Sequence, residues 1–378
     1  MVRDVLILFG MRARNLKWER GKYQMFEALG CHSCFKSQCA SWRVHVSERL
    51  FTSPCHQKVS AGPRKQVCEV VLQHFDQQYS QELGQLWVVA REVLLQPHRW
   101  QYGIMLNRFC APEDLRQRLC LQGFSSLVDR GSLQCFVHPA RTRFPSQKHQ
   151  PGWLKQYYLL NAASLLPVLA LDVREGDRLL DMCSAPGGKA LAVLQCVTPA
   201  SLHCNELIFE RQQWLSKTLE SYVPPAVRNI LTVSNLDGRT FGELQADTFD
   251  KVLVDAPCSN DRSWLFSAHP QQSAMRLGER TRLPEIQRDL LRSALAAVRP
   301  GGLVVYSTCT LSHAENGAVV QEVLSCCSNA ELQNLEEMSC SLGHRFTFGP
   351  SSPFGLLVVP DHGRTWGPMF LSKLKRLY

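Results

Sequence analysis

The sequence contains no window of roughly 18 unbroken apolar residues, the length a membrane helix needs. Its longest apolar stretch, "LLNAASLLPVLAL", carries Asn161, Ser164 and Pro167 and reads as a buried helix. Cysteine is too sparse for a disulfide-built secreted domain. Sixteen Cys in 378 residues is about 4%, against roughly 8–10% in such scaffolds. They are scattered through apolar segments, where a reduced thiol behaves as a small hydrophobe, so a reducing compartment is expected. The cluster "CHSCFKSQC" (Cys31, Cys34, Cys39) lacks a second ligand pair at zinc-site spacing, and no metal is expected there. Two nucleotide signatures are missing as well. No G-x-G-x-x-G occurs, and in "CSAPGGKA" Cys183 stands where a phosphate-binding loop needs its first glycine. Ala190 stands where such a loop needs Ser or Thr, so neither NAD nor ATP is the natural ligand.

Acidic residues are scarce at the start of the chain. Residues 1–65 hold 12 Lys and Arg against 4 Asp and Glu, and so carry eight of the nine net positive charges. The opening "MVRDVLILFGMRARNLKWERGKYQMF" is Arg-rich with interleaved apolar residues, the composition of a mitochondrial transit segment. A solvated basic tail and a nucleic-acid-binding arm share that composition. Residues 66–100 space apolar side chains three and four apart, as a helix pair does. "NRFCAPEDLRQRLCLQGF" supplies another short helix, with Pro112 near its start. The stretch 129–152, with "HPARTRFPSQKHQPG", reads as a basic linker.

From about residue 153 the pattern alternates helix and strand. Strand candidates are "DRLLDMC", "SLHCNEL", "NILTVSN", "KVLVDAPC" and "GLVVYSTC", followed late by "GLLVVPD" and "PMFLSKL". Segments of helical length, such as "FERQQWLSKTLESY" and "LPEIQRDLLRSALAAV", lie between the first five. Apolar strands alternating with helices predict an α/β fold whose mostly parallel sheet is covered on both faces. The two late strands suit an antiparallel edge. Ligands in such sheets sit beyond the carboxyl ends of the strands.

The polar residues gather at those ends. After the first strand, Gly187 and Gly188 allow close backbone approach to a ligand, and a helix start follows. Glu206 ends the second strand, 18 residues beyond Gly188, and suits ribose hydroxyls. Asp237 follows the third, placed to receive a base's amino group. Together they fit a nucleoside with a neutral or cationic tail, a description S-adenosyl-L-methionine satisfies. Asp255 and Cys258 follow the fourth strand in "DAPC", and Cys309 follows the fifth in "STCT", 51 residues later. Neighbouring parallel strands lie about 4.8 Å apart, so both thiols can border one pocket. Carbon 5 of a pyrimidine is too electron-poor to take a methyl group directly. A thiolate added to carbon 6 makes it nucleophilic, which is covalent catalysis, and an acid bound to N3 stabilises the charge that develops. Buried core residues remain the other reading of both cysteines. Spacing alone does not say which thiol attacks.

"LLDMCSAPGGK", "VDAPCSND" and "YSTCTLSHAEN" resemble the RNA cytosine-carbon-5 methyltransferases of the Sun (Nol/Nop/Sun) type. The resemblance covers roughly residues 150–378 and extends toward residue 66 through "WQYGIMLNRF" and "YYLLNAASLLPVLAL". It implies a Rossmann-like class I methyltransferase fold with a mostly parallel seven-stranded sheet and a smaller helical N-terminal domain. The implied organisation is a basic extension with a transit segment at 1–65, a helical RNA-contacting domain and linker at 66–150, and the catalytic domain at 151–378. Carried over, Cys309 is the nucleophile and Cys258 assists release of the methylated base. Asp255 contacts the cytosine, and Lys189 lies near Asp255 and the methyl donor. Cys183, Ala185, Pro186, Gly187, Gly188, Lys189, Glu206, Arg211, Asp237, Gly238 and Asp255 hold the S-adenosyl-L-methionine. The "PCSND" element departs from the commoner pattern at Asn260, Asp261 and Arg262, which bears on substrate contact. Within the family, the likeness is to members that modify the wobble cytosine of methionine tRNA in the mitochondrial matrix, the first step toward 5-formylcytosine. Mitochondrial tRNA is thus the expected partner, with an accessory protein as in some members, and no membrane. Mitochondrial rRNA as substrate, methylation of an amino group or small molecule, and a non-catalytic RNA-binding subunit are the alternatives.

Overall fold

A computed structural model describes residues 66–378 except 111–112, 131, 141–142 and 268–269. The transit segment and the Cys31–Cys39 cluster lie outside the described residues. Residues 65–378 form one compact unit.

Among the described residues, the first helices are α1 (Glu69–Leu83) and α2 (Gln85–Leu94), after the short strand Gln66–Val67. Val71, Leu72, Phe75, Tyr79 and Leu83 recur at helical spacing and are all buried. Gly84, at φ +55°, ends α1 in a conformation that side chains rarely adopt. The strands β1 (Gly103–Leu106), β2 (Ser125–Arg130), β3 (Leu133–Val137) and β4 (Tyr157–Leu160) then build an antiparallel sheet in the order β2-β3-β1-β4. Between β1 and β2 lies α3 (Glu113–Leu121).

This sheet corrects the expectation of a purely helical N-terminal domain. The segment expected to be a loose linker contains β3 and the end of β2. The expected boundary at 150/151 also falls inside the sheet, because β4 pairs with β1. Its strands are four to six residues long. So short a run shows little alternation, and the pairing of β1 with the distant β3 and β4 decides the matter.

Beyond β4, α4 (Leu166–Leu171) is buried as expected. The main sheet comprises β5 (Arg178–Asp181), β6 (Ser201–Asn205), β7 (Leu231–Ser234), β8 (Phe249–Asp255), β9 (Val298–Thr308), β10 (Ala330–Gln333), β11 (Leu356–Val358) and β12 (Met369–Arg376). The order is β10-β12-β9-β8-β5-β6-β7, with β11 paired on β12. Neighbours from β9 through β7 are parallel, and β12 is antiparallel to β9. The two late strands are antiparallel as expected: β12 lies just inside the sheet, and β11 pairs on its outer side, sharing the edge with β10, a half-exposed strand with Glu331 and Gln333.

Alternation along the strands sends side chains to two cores. Leu253 and Val305 enter the first, with α4, α5 (Gly188–Cys196) and α6 (Phe209–Tyr222) over it. Val252, Val254, Val304 and Tyr306 enter the second, under α8 (Leu283–Ala297) and α9 (Gly317–Cys326). A further helix, α7 (Pro270–Arg280), precedes α8. The described residues include no helix long and apolar enough to cross a membrane.

Candidate active site

Strands β8 and β9 are parallel neighbours, and Asp255 is in register with Ser307. The loops leaving them carry Cys258 and Cys309, whose sulfurs lie 3.3 Å apart, with the Cys309 backbone N–H donating to the Cys258 sulfur at 3.3 Å. Both cysteines are free. The contact with the Cys309 thiol, followed by burial, holds the Cys258 thiol well above its ordinary pKa, against the pull of the Cys309 N–H.

Beside the sulfurs, Lys189 from the first turn of α5 donates to Asp255 at 2.6 Å, and Ser307 donates to the other carboxylate oxygen at 2.9 Å. Burial works against the ammonium, but Asp255, and after it Cys309 and Asp181, raise the Lys189 pKa overall. It remains a cation facing both the carboxylate and the thiols.

A buried polar network holds the two cysteine loops. The Glu315 carboxylate accepts from the Ser259 backbone at 2.9 Å, its hydroxyl at 2.6 Å, Gln287 at 3.1 Å and Arg280 at 3.3 Å. The Asp261 carboxylate accepts from the Leu311 backbone at 2.7 Å, the Thr310 hydroxyl at 2.9 Å and the Tyr79 hydroxyl at 3.0 Å. Arg280 in turn donates to Tyr79 at 2.7 Å. Ser259 neighbours Cys258 and Thr310 neighbours Cys309, so the network sets the separation of the sulfurs. Asn260, at φ +36°, makes the turn that admits Asp261.

None of these supporting roles is visible from composition. The one available signal is the density of polar residues in "STCTLSHAEN" and "PCSND"; Tyr79 and Arg280 are too distant in sequence to be connected.

The glycine turn joins the Asp181 end of β5 to α5. Gly187 has φ +103°, and a Cβ there meets Leu215 at 3.0 Å; a Cβ on Gly188 meets Tyr158 at 3.1 Å. Ala185 and Pro186 are joined by a cis peptide bond, and the Ala185 carbonyl accepts from Arg211 at 2.7 Å. Cys183 packs against the second core, its pKa raised well above normal by burial and then by the acids around it. Glu206 is buried at the end of β6; its carboxylate takes the Ile208 N–H at 3.1 Å and faces Arg211 at 3.5 Å. Burial raises its pKa, against the pull of Arg211.

Asp237 is less available than its sequence position suggests. The Arg239 guanidinium holds it at 2.6–3.1 Å and depresses its pKa. Gly238 has a packing reason, because a Cβ there falls 2.6 Å from Leu290 and 2.9 Å from Met182. Asn205, absent from the expected set, bonds to Met182, Ser234 and Leu236 and so locks three strand ends together.

This arrangement fits a nucleoside with a cationic tail. Three acids (Asp181, Glu206, Asp255) surround a turn in which Gly187 and Gly188 lack Cβ atoms, and one buried oxygen of Asp181 has no partner. The profile of the family described as "16S rRNA methyltransferase RsmB/F" matches residues 168–375, more than half of the chain. The chain belongs to this family. Among its RsmB/F relatives, the "tRNA (cytosine(34)-C(5))-methyltransferase, mitochondrial" of Danio rerio is 56% identical over 84% of this chain and 90% of its own length. The Mus musculus protein of the same name is 51% identical over 82% and 92%. A "5-cytosine rRNA methyltransferase NSUN4" of Mus musculus is more distant, 38% identical over 83% and 91%. The fold is shared with a solved methyltransferase homolog from Pyrococcus horikoshii, with a TM-score of 0.59 at 23% identity, covering 82% of this chain and 98% of that one.

Proposed function

We propose that this methyltransferase forms 5-methylcytosine at position 34 of a mitochondrial tRNA, in the mitochondrial matrix, through a transient bond between Cys309 and carbon 6 of the base. The observation that carries the reading is the pair of free thiols 3.3 Å apart beside the Lys189–Asp255 ion pair. A fold needing only a methyl donor and an amino acceptor has no use for that pair, which disfavours methylation of an amine. The choice of tRNA over rRNA rests on the 51–56% identity to the tRNA enzymes against 38% to the rRNA enzyme. Methionine tRNA, whose wobble base is cytosine, is the substrate the resemblance implies.

In this mechanism the Cys309 sulfur bonds to carbon 6 of the cytosine. The electron pair of the carbon 5–carbon 6 double bond becomes available at carbon 5. Asp255 binds the ring at N3, and the Lys189 ammonium offsets the charge that develops there. The 183–189 turn, Glu206, Arg211 and the Asp237–Gly238 segment would hold S-adenosylmethionine, which would supply the methyl group. Loss of the carbon 5 proton to a base then restores the double bond and expels the Cys309 thiolate, a release that Cys258 assists. Unstacking the base into the pocket is cheaper from an anticodon loop than from a duplex.

The test is mutagenesis with RNA carrying the loop. Cys309→Ala abolishes product, whereas Cys258→Ala accumulates a covalent protein–RNA adduct that survives denaturation. Full activity in Cys309→Ala removes the thiol mechanism. Bisulfite sequencing of mitochondrial tRNAs from cells lacking the protein tests the substrate, with loss of protection at cytosine 34 expected.

A further inference from the structure

The segment "WQYG" and the departure at Arg262 play no part in the chemistry above, yet the fold brings them together at the nucleophile. Arg262 follows Asp261, whose carboxylate is bonded to Thr310 and Leu311, the two residues after Cys309. Its guanidinium lies over the Trp100 ring, 4.7 Å from the centroid, and donates through Nη2 to the Thr365 carbonyl. Its Nε–H is buried without a partner. Burial lowers the Arg262 pKa to about 10, opposed by Tyr102 and Cys309, the neighbours whose charge it feels. It is still a cation at neutral pH.

Two residues on from Trp100, Tyr102 carries a second guanidinium, that of exposed Arg143 from the basic linker, 5.1 Å from its centroid. The backbone between is pinned: Gln101 donates from its N–H to the Thr365 hydroxyl at 2.8 Å and accepts from the Thr365 N–H at 2.9 Å. Exposed Arg99 adds a further positive charge before Trp100.

A guanidinium stacked on an aromatic ring keeps its N–H edge for an acceptor, and two N–H groups in a plane match a phosphate's oxygens. A buried donor without a protein acceptor calls for an explanation, and a ligand oxygen supplies one. We propose that Arg262 and Arg143, each backed by an aromatic ring, form a phosphate clamp for the RNA strand flanking the target cytidine. Arg262 takes the phosphodiester of the target nucleotide, and Arg143 one further along the strand. The clamp rests on the reading of the chain as an RNA methyltransferase and adds where the strand lies. It is sequence-neutral, because phosphates carry no base information. Its work is to hold the backbone while the base leaves the stack.

The experiment uses the full chain with synthetic anticodon stem–loops in which single phosphates are replaced by uncharged methylphosphonates. Arg262→Ala raises KM for the unmodified stem–loop about ten-fold, a loss typical of a hydrogen bond to a charged group, and leaves adenosylmethionine affinity unchanged. The methylphosphonate at the target nucleotide weakens wild-type binding similarly but costs Arg262→Ala nothing further. Arg143→Ala lowers the slope of log affinity against log salt by about one phosphate contact.

Additive penalties in the Arg262 series, or an unaltered KM, overturn the clamp. So does Arg143→Ala with unchanged RNA affinity and salt slope, the result expected if this face meets a protein instead. Should Arg262→Ala fail to fold, Arg262→Lys and the Arg143 series still decide the question through the same phosphate scan. A wild-type protein that binds the stem–loop but never forms an adduct sinks the methyl-transfer reading, while the binding data continue to score the clamp.

Discussion

Glu315→Gln is the sharpest probe of how the two thiols are held. The Glu315 side chain is 1% exposed and its partner Arg280 7%. One oxygen accepts from the Ser259 hydroxyl and Arg280, the other from the Ser259 N–H and Gln287. Whichever oxygen becomes the amide nitrogen, two donors lose their acceptor and face an N–H group. Arg280 also loses its closest counter-charge, keeping the Tyr79 hydroxyl and the faces of Phe75 and Tyr79 at 4.9 and 5.5 Å. Breaking a buried pair from one side costs about 3–5 kcal/mol. Those remaining contacts place the expected loss near the lower end, about 3 kcal/mol. At roughly 2 °C per kcal/mol for a domain of this size, the thermal midpoint falls by about 6 °C. Ser259 adjoins Cys258, so the rate of adduct formation with 5-fluorocytosine RNA falls as well, measured below the new midpoint. A midpoint within about 1 °C of wild type, with unchanged adduct kinetics, refutes the claim that this network sets the sulfur geometry.

Two further outcomes follow from the cofactor turn. Burial, with Asp255 and Glu206 nearby, raises the Asp181 carboxyl to about 7 from an ordinary 3.8, against the Ser184 hydrogen bond and Lys189. The folded chain therefore keeps a proton that the unfolded chain has released between about pH 4 and 7. Its contribution to stability falls as pH rises through that window. Asp181→Asn removes this dependence and gains roughly 3 kcal/mol on wild type between pH 4 and 7, read from urea unfolding at each pH; parallel profiles contradict it. Gly187→Ala forces a side chain to φ +103° and against Leu215. It costs about 1–3 kcal/mol and weakens adenosylmethionine binding in calorimetry, whereas wild-type affinity and stability contradict a backbone role for this glycine.

Much of the catalytic half is written locally. Apolar runs ending in Asp181, Asn205, Asp255 and Thr308 are strands covered on both faces, the run ending in Ser234 is a half-exposed edge strand, and their carboxyl ends put the polar residues on one rim. Periodicity also marks α1, α6 and α8, where one stripe of side chains meets the core. Cys258 and Cys309 could be paired on sequence alone, since neighbouring parallel strands bring their ends together. The antiparallel sheet of β1–β4 was not legible, because its strands are short and β1, at its centre, pairs only with partners far along the chain.

The chemical parts (two thiols, a Lys–Asp pair, a glycine turn) were thus determined by residue type and order, which the chain carries wherever it goes. Their arming was decided by the tertiary structure. Tyr79 and Arg280 reach the cysteine loops from helices far away in sequence, and Trp100 and Tyr102 meet Arg262 and Arg143 across the fold. Burial in three dimensions, which no linear pattern records, turns those polar side chains from solvated surface into fixed partners of the site.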